Sequence, residues 1–277
     1  MLFYLKTRMA KVENNIRYEE LENKVHRVIL GLDISTTCIG VAIVIDDGES
    51  TPNIVKLTHV TPKIPKGVHG IEALFLKKKV FEEMFVSTLD EYNITDVIIE
   101  EPLLTSNNAM TAGTLIRFNG MISEAIYRKI GVVPHFISSY DSRMFSFPEL
   151  CSIRKYNKKG DEYSLKHIKK ACKDSHVVLF GSYPFDIDKK TVMMDKINEL
   201  YPDIPWMYNK KGQLKKENYD ACDALVCALA YVNVNRYGIE KPLITKVNVK
   251  ENTNESVIEY TIEIWGKKFD KTLTLIN

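Results

Sequence analysis

VILGLDISTTCIGVAIVI, residues 28–45, reads as two apolar β-strands joined by the short polar turn STT. Asp33 interrupts the first strand close to its end. An unpaired ionised carboxylate in an apolar environment is costly, so buried charges are normally paired or bound to a metal. The stretch therefore predicts a pair of strands and an acid that needs a compensating positive charge.

Working outward from this pair, the segments that follow alternate between strands and helices. NIVKLTHV gives a third strand, and residues 70–92 place apolar side chains at helical spacing. DVIIEEP is a short strand that carries Glu100 near its end and is stopped by Pro102, which cannot donate to a β-ladder. Residues 107–130 predict a second helix and VVPHFISS a fifth strand. The predicted order is βββαβαβ.

The chain is long enough for one large domain with small additions. We expect an α/β domain with the following organisation: a polar N-terminal arm at 1–26, the main domain at 27–235, a lysine-rich insertion at about 141–219 that is irregular until a helix at about 187–200, a helix at 217–235, and a peripheral C-terminal β-hairpin within 243–277.

Composition limits the class of protein. Hydrophobic residues make up 45% and charged residues 27% of the chain, which is typical of folded soluble proteins. No uninterrupted apolar run reaches the roughly 18 residues of a transmembrane helix, and the N-terminus matches neither a secretory signal nor a transit peptide. The five cysteines form no CxxC pair, so we expect neither a disulfide framework nor a zinc cage, and we expect a reducing, cytoplasmic location.

Positive charge is clustered although the net charge is only +2. Residues 154–173 contain eight basic residues and two acidic ones, and four lysines lie within 210–216. Such a run is ordinarily a solvated surface, and the alternative is contact with nucleic-acid phosphates. The candidate DNA-binding lysines are Lys155, Lys158, Lys159, Lys189, Lys215 and Lys216.

Four acids interrupt apolar surroundings: Asp33, Glu100, Asp220 and Asp223. Each has an ordinary structural interpretation, as a turn acid, a strand-end acid or a helix N-cap. Together they indicate more, because Asp220 and Asp223 share one helix face at spacing i, i+3 and like charges placed together repel. A divalent cation such as Mg²⁺ or Mn²⁺ resolves the repulsion, and paired ions of this kind promote phosphodiester hydrolysis.

On LGLDISTTCIGVAIV, DVIIEEPLL and NYDACDALVCALAY, the chain resembles the RuvC-type Holliday junction resolvases of the ribonuclease H-like superfamily, over about residues 27–140 and 186–235. The resemblance implies a ribonuclease H-like mixed five-stranded sheet flanked by helices. It also implies two Mg²⁺ ions per active site, for which Mn²⁺ substitutes, and a catalytic lysine near the scissile phosphate at Lys190 or its neighbour Lys189. The metal-binding tetrad that it implies is Asp33, Glu100, Asp220 and Asp223.

The same resemblance implies a crossover junction endonuclease that cuts branched DNA and leaves 5′-phosphate and 3′-hydroxyl ends. We expect a homodimer, since two symmetric cuts at a four-way junction require two active sites related by a two-fold axis. A phage or viral member would act in the host-cell cytoplasm. Ile34 and Ser35 stand where bacterial members often have Pro-Gly, so other branched, single-stranded or hybrid substrates stay open.

Two rival functions are consistent with parts of the sequence. DISTTCIG is similar to the phosphate loop of actin-like and sugar-kinase ATPases, but Ser35 occupies the position of a required glycine and no second glycine-rich loop follows. A nucleic-acid-binding module that has lost catalysis would lack a ligand, whereas all four acids are present. ATP binding by the purified protein would favour the first alternative.

Overall fold

The computed structural model describes residues 26–102, 109–181 and 187–276. The predicted arm at 1–26 lies outside these ranges except for His26. The main sheet has five strands in the order β3-β2-β1-β4-β5. Its strands are β1 (Arg27–Ile34), β2 (Ile39–Asp46), β3 (Asn53–Val60), β4 (Asp96–Glu100) and β5 (His135–Ile137).

The remaining elements surround this sheet or follow it. The helices are α1 (Gly70–Met84), α2 (Ala109–Ile130), α3 (Ser139–Ser146), α4 (Leu165–Lys173), α5 (Lys189–Leu200) and α6 (Glu217–Tyr237), with short 3₁₀ turns at Val86–Glu91 and Pro148–Leu150. The additional strands are β6 (Cys151–Ile153), β7 (Val177–Leu179), β8 (Leu243–Glu251), β9 (Glu255–Ile264) and β10 (Lys267–Ile276).

The predicted fold class is confirmed. The first three strands form an antiparallel meander, β4 pairs in parallel with β1, and β5 pairs in parallel with β4, which makes the predicted mixed five-stranded sheet. The helix predicted over 70–92 is shorter than expected. It ends at Met84, because Phe85 leaves the helical region with φ −132°, and the chain continues as a 3₁₀ turn.

The two faces of the sheet belong to different cores, as the two-residue period of a strand requires. Leu30 and Leu32 face the side covered by α1 and α2. Ile29, together with Ala42 and Val44 of β2, faces the side covered by α6. Residues of odd number in β1 therefore point towards α6, and Asp33 is one of them.

The prediction that the segment 141–219 is irregular before a helix at about 187–200 is wrong, whereas that helix is confirmed as α5 (Lys189–Leu200). Helix α3 packs along α6, where the Ser146 hydroxyl donates to the Val226 carbonyl at 2.7 Å. Strands β6 and β7 pair, and α4 places Ile168, Ala171 and Cys172 in the same core. These elements are short, so only a few apolar positions per element mark them in the sequence.

The predicted C-terminal hairpin is a three-stranded antiparallel sheet in the order β10-β9-β8. It is not peripheral. Ile258, Ile262 and Leu273 are buried in the cluster that also contains α6, and the Tyr260 hydroxyl accepts a hydrogen bond from the Ile153 amide at 3.0 Å. The sheet therefore closes the core that the inserted segment shares with α6.

Within the described ranges, no helix combines the length and the apolar character needed to cross a bilayer. All five cysteines are free and buried.

Candidate active site

The first two acids of the site lie at the carboxyl ends of adjacent strands. β1 and β4 run parallel with Leu32 beside Ile99, so Asp33 and Glu100 are the next residues along each strand. Both continue the face that packs on α6, since side chains alternate along a strand. The parallel register of β1 and β4 thus directs two half-buried carboxylates to one end of the sheet.

Helix α6 approaches this sheet unusually closely, and two glycines permit the approach. A Cβ atom on Gly31 would lie 2.3 Å from the Ala224 carbonyl oxygen, and one on Gly40 would lie 1.9 Å from the Asp220 carbonyl oxygen. Gly40 is also the partner of Asp33 in the β1–β2 register. Because these two glycines have no side chains, the beginning of α6 can pack directly against the end of β1.

Helix α6 carries the other two acids of the site. Asp220 and Asp223 are three residues apart in the first turns of α6, on one face. The Asp220 side chain is 22% exposed and that of Asp223 only 6%. All four predicted acids thus come from three elements to the end of the sheet, with Asp223 innermost.

The acids act on one another electrostatically. Burial, followed by the negative charges of its three acidic neighbours, raises the pKa of Asp33 well above its ordinary value. Burial and then the charge of Asp223 raise the pKa of Glu100 to about 7. Such mutual effects require close approach, and they leave a surplus of negative charge that a cation would relieve.

Lys190, at the N-terminal end of α5, supplies positive charge to the cluster. Its Nζ lies 3.2 Å from Asp223 Oδ2 and 3.8 Å from Asp220 Oδ1. Burial opposes the charged ammonium, but the carboxylates of Asp223 and Asp220 outweigh it and raise the pKa of Lys190. Of the two adjacent lysines considered from the sequence, the structure brings Lys190 to the acids.

Arg143 of α3 is a member of the site that the sequence analysis missed. Its side chain is 15% exposed, and a terminal guanidinium nitrogen lies 3.6 Å from Asp223 Oδ1. Its Nε is buried without a hydrogen-bond partner among the described residues. The charge of Arg143 also acts to lower the pKa of Glu100, against the stronger effects of burial and Asp223. The available signal is an arginine just after β5, but α3 is too short and too polar to be predicted as a helix from its sequence.

The donor set can be compared with what a metal ion requires. Among the described residues, no three His, Cys, Asp or Glu side chains converge closely enough in their present positions to hold a metal ion. The four carboxylates are chemically suitable ligands for Mg²⁺, because hard divalent cations bind oxygen ligands. In the structure, the Lys190 ammonium supplies positive charge beside two of these carboxylates, those of Asp220 and Asp223.

The other candidate lysines are less concentrated. Lys155 is engaged within the insertion, where its Nζ lies 3.0 Å from Glu162 Oε1. Lys216 lies beside Lys190 and Asp220 in a groove at the edge of the site. The remaining candidates are exposed and form no ion pair with a described residue: Lys158, Lys159, Lys189 and Lys215.

Comparison with known proteins yields likenesses of fold. No protein-family model and no curated protein matches the chain. RuvC from T. thermophilus in complex with Holliday junction substrate matches 78% of this chain and 99% of its own, at 14% identity and a TM-score of 0.47. The yeast mitochondrial Holliday junction resolvase Ydc2 matches 76% and 82%, at 11% identity and a TM-score of 0.42. The PPX-GPPA enzyme of Aquifex aeolicus matches 44% and 40%, at 14% identity and a TM-score of 0.29.

Proposed function

We propose that the chain is a metal-dependent endonuclease that resolves four-way DNA junctions by phosphodiester hydrolysis, leaving 5′-phosphate and 3′-hydroxyl ends. One observation carries the proposal. Four carboxylates from three separate segments of the chain lie at the end of the sheet, where burial and their mutual repulsion raise the pKa values of Asp33 and Glu100. The Lys190 ammonium lies beside the other two. An ordinary core would not accumulate this much negative charge.

The residues have separable roles in the proposed reaction. The four acids would hold Mg²⁺, with Mn²⁺ as a substitute, and two such ions would stabilise the attacking and leaving oxygens of the displacement. Lys190 is placed to stabilise negative charge that develops on the phosphate in the transition state. Arg143, through Asp223, is a positioning residue: it holds the most buried carboxylate in place and offsets part of its charge.

Lys190→Met is expected to lower the cleavage rate about 10²–10³-fold, the loss typical of removing one preorganised group that stabilises transition-state charge. Single-turnover cleavage at saturating protein measures this loss without a contribution from DNA affinity. Lys189→Met is the matched control, because Lys189 is adjacent and exposed and has no ion pair with a described residue. Equal rates for both variants would remove Lys190 from the mechanism.

The substrate is tested by direct comparison of DNA structures. A labelled four-way junction is incubated with the protein beside matched duplex, single-stranded, flap and RNA–DNA hybrid substrates, with Mg²⁺ or with EDTA. Paired symmetric nicks on the junction alone, absent with EDTA, are the expected result. Equal cutting of the other substrates would keep the nuclease and overturn junction selectivity. Absence of any cutting, with ATP hydrolysis instead, would favour the actin-like alternative.

We also propose that a homodimer supplies the two active sites, with α2 forming part of the interface. Ile116 and Tyr127 of this helix are large and exposed, at 47% and 51%. Ile116→Glu is expected to weaken dimerisation by at least about tenfold, since it places a charge in an apolar contact. Sedimentation velocity over a concentration series measures this. Ile71→Glu on α1, at an isoleucine that is 55% exposed, is the control. An unchanged dimer in Ile116→Glu would exclude α2 from the interface.

A further inference from the structure

A polar groove adjoins the acid cluster on the side of the β1–β2 turn. Its volume is about 530 Å³, within the range of about 300–1,000 Å³ typical of ligand sites. Asp220 and Lys190 form the wall that it shares with the cluster, and Lys77, Lys216 and the turn residues form much of the remainder. The groove is therefore continuous with the place where the scissile phosphate would lie.

Lys77 gives this groove a positive charge that no carboxylate pairs with directly, although Glu217 and Asp220 also line the groove. Its Nζ donates to the Thr36 carbonyl at 2.7 Å, and it forms no ion pair with any described residue. The next two lysines of α1 are different. Lys78 pairs with Glu82 and Glu124, and Lys79 pairs with Glu83. A half-buried ammonium with spare donors and no carboxylate in ion-pair contact is suited to an anion.

The turn that accepts from Lys77 is held in one shape by its own hydrogen bonds. The Ser35 hydroxyl accepts from the Cys38 amide at 3.0 Å and donates to the Cys38 carbonyl at 2.8 Å. This arrangement fixes Thr36 and Thr37 at the rim of the groove beside Lys77. A rigid wall of hydroxyl groups and one ammonium is the chemistry that contacts a phosphodiester backbone.

We propose that this groove binds the DNA strand on one side of the scissile phosphate, with Lys77 contacting the neighbouring backbone phosphate. The inference rests on the proposed function for its ligand and extends it. The acid cluster accounts for cleavage of one phosphodiester bond, and the groove fixes the direction in which the strand continues. Contact with a phosphate carries no sequence information, so Lys77 sets the register of the strand and not the choice of base.

The test measures DNA binding in EDTA, so that it does not depend on cleavage. One strand of a four-way junction carries a single uncharged methylphosphonate linkage, which is moved one position at a time. Fluorescence anisotropy then gives the affinity of the wild type, Lys77→Ala, Lys77→Arg and the matched control Lys79→Ala for each junction. Circular dichroism verifies that every variant is folded.

At one linkage, the methylphosphonate should weaken wild-type and Lys79→Ala binding about tenfold, the loss expected for one charge-assisted hydrogen bond. Lys77→Ala should bind the unmodified junction about tenfold more weakly and show no further loss at that linkage, because the two changes remove the same contact. Its salt dependence should fall by about one phosphate charge, and Lys77→Arg should restore both effects.

Several results would overturn the groove proposal: independent, multiplying effects of Lys77→Ala and the methylphosphonate at every position, affinity of Lys77→Ala equal to the wild type, or no DNA binding by the wild type. The cleavage assay is read separately. A wild type that shows the coupled effect but cuts nothing in Mg²⁺ would retain the DNA groove and exclude the nuclease. A wild type that cuts the junction but shows no coupling would retain the nuclease and exclude the DNA groove.

Discussion

Asp33→Asn should reduce Mg²⁺-dependent cleavage by at least about 10³-fold, since a bound metal supplies several kcal/mol of transition-state stabilisation and each 1.4 kcal/mol is a factor of ten. The substitution preserves the size of the side chain at the end of β1 and removes only its charge. Single-turnover cleavage of the four-way junction measures the loss. Glu100→Gln should behave in the same way.

Glu101 is the matched control for this result. It follows Glu100 directly but is exposed, and its amide pairs with the Ile137 carbonyl at the edge of the sheet. Glu101→Gln should cleave at the wild-type rate. If Glu100→Gln and Glu101→Gln lost activity equally, or if Asp33→Asn kept more than about a tenth of the wild-type rate, the acid cluster would not be the catalytic site.

The same Asp33→Asn variant should be more stable than the wild type when no metal is present. The folded protein holds a proton on Asp33 more tightly than the unfolded chain does, because burial and the neighbouring acids raise its pKa. The free energy of unfolding of the wild type therefore falls as the pH rises above the ordinary carboxyl range. The asparagine variant has no ionisable group at this position and does not undergo this decrease. Thermal unfolding in EDTA should show a higher Tm for the variant at pH 7.5 and a smaller difference near pH 4.

Gly40→Ala should destabilise the fold by about 3 kcal/mol, the upper part of the range for overpacking a core, because the new Cβ would meet backbone atoms that cannot rotate away. It should also lower cleavage about 10²-fold, since a shift of about 1 Å in a catalytic group has this effect. Asp220 is the residue displaced. Urea denaturation and single-turnover cleavage measure the two consequences.

Gly120→Ala distinguishes crowding from the general effect of replacing glycine. Gly120 is exposed in the interior of α2, and a Cβ there would meet nothing within 4 Å. Alanine at this position should raise the free energy of unfolding by about 0.5–1 kcal/mol and leave cleavage unchanged. A stable, active Gly40→Ala protein would show that the close contact between α6 and the β1–β2 pair is not required.

Much of the fold could be predicted because strands and helices leave a short-range periodicity in the sequence. The helical repeat likewise puts Asp220 beside Asp223. The approach of Asp33 to Glu100 is different, because it depends on the parallel pairing of β1 and β4, which are distant in the chain. Strand periodicity alone does not give this pairing, and the complete set of four acids is expected from the resemblance of their motifs to a known family.

The parts that could not be predicted depend on such packing. Arg143 reaches Asp223 only because α3 lies along α6, a relation between segments about 80 residues apart in the chain. The roles of Gly31 and Gly40 as contact points for α6 leave no local pattern, since a glycine in a strand has several structural explanations. The hairpin of β9 and β10 follows from the alternation in the sequence, but neither the third strand, β8, nor the burial of this sheet against the inserted segment does.

The assembly of the acid cluster from distant segments has a consequence for biosynthesis. β1 is made early, whereas α6 carries its two aspartates almost 190 residues later. A chain growing on the ribosome at about 5–20 residues per second therefore spends on the order of ten seconds or more with Asp33 made and α6 absent. During that interval the complete set of acids does not exist, so the proposed cutting activity is withheld from every unfinished copy and begins only once α6 docks on the sheet.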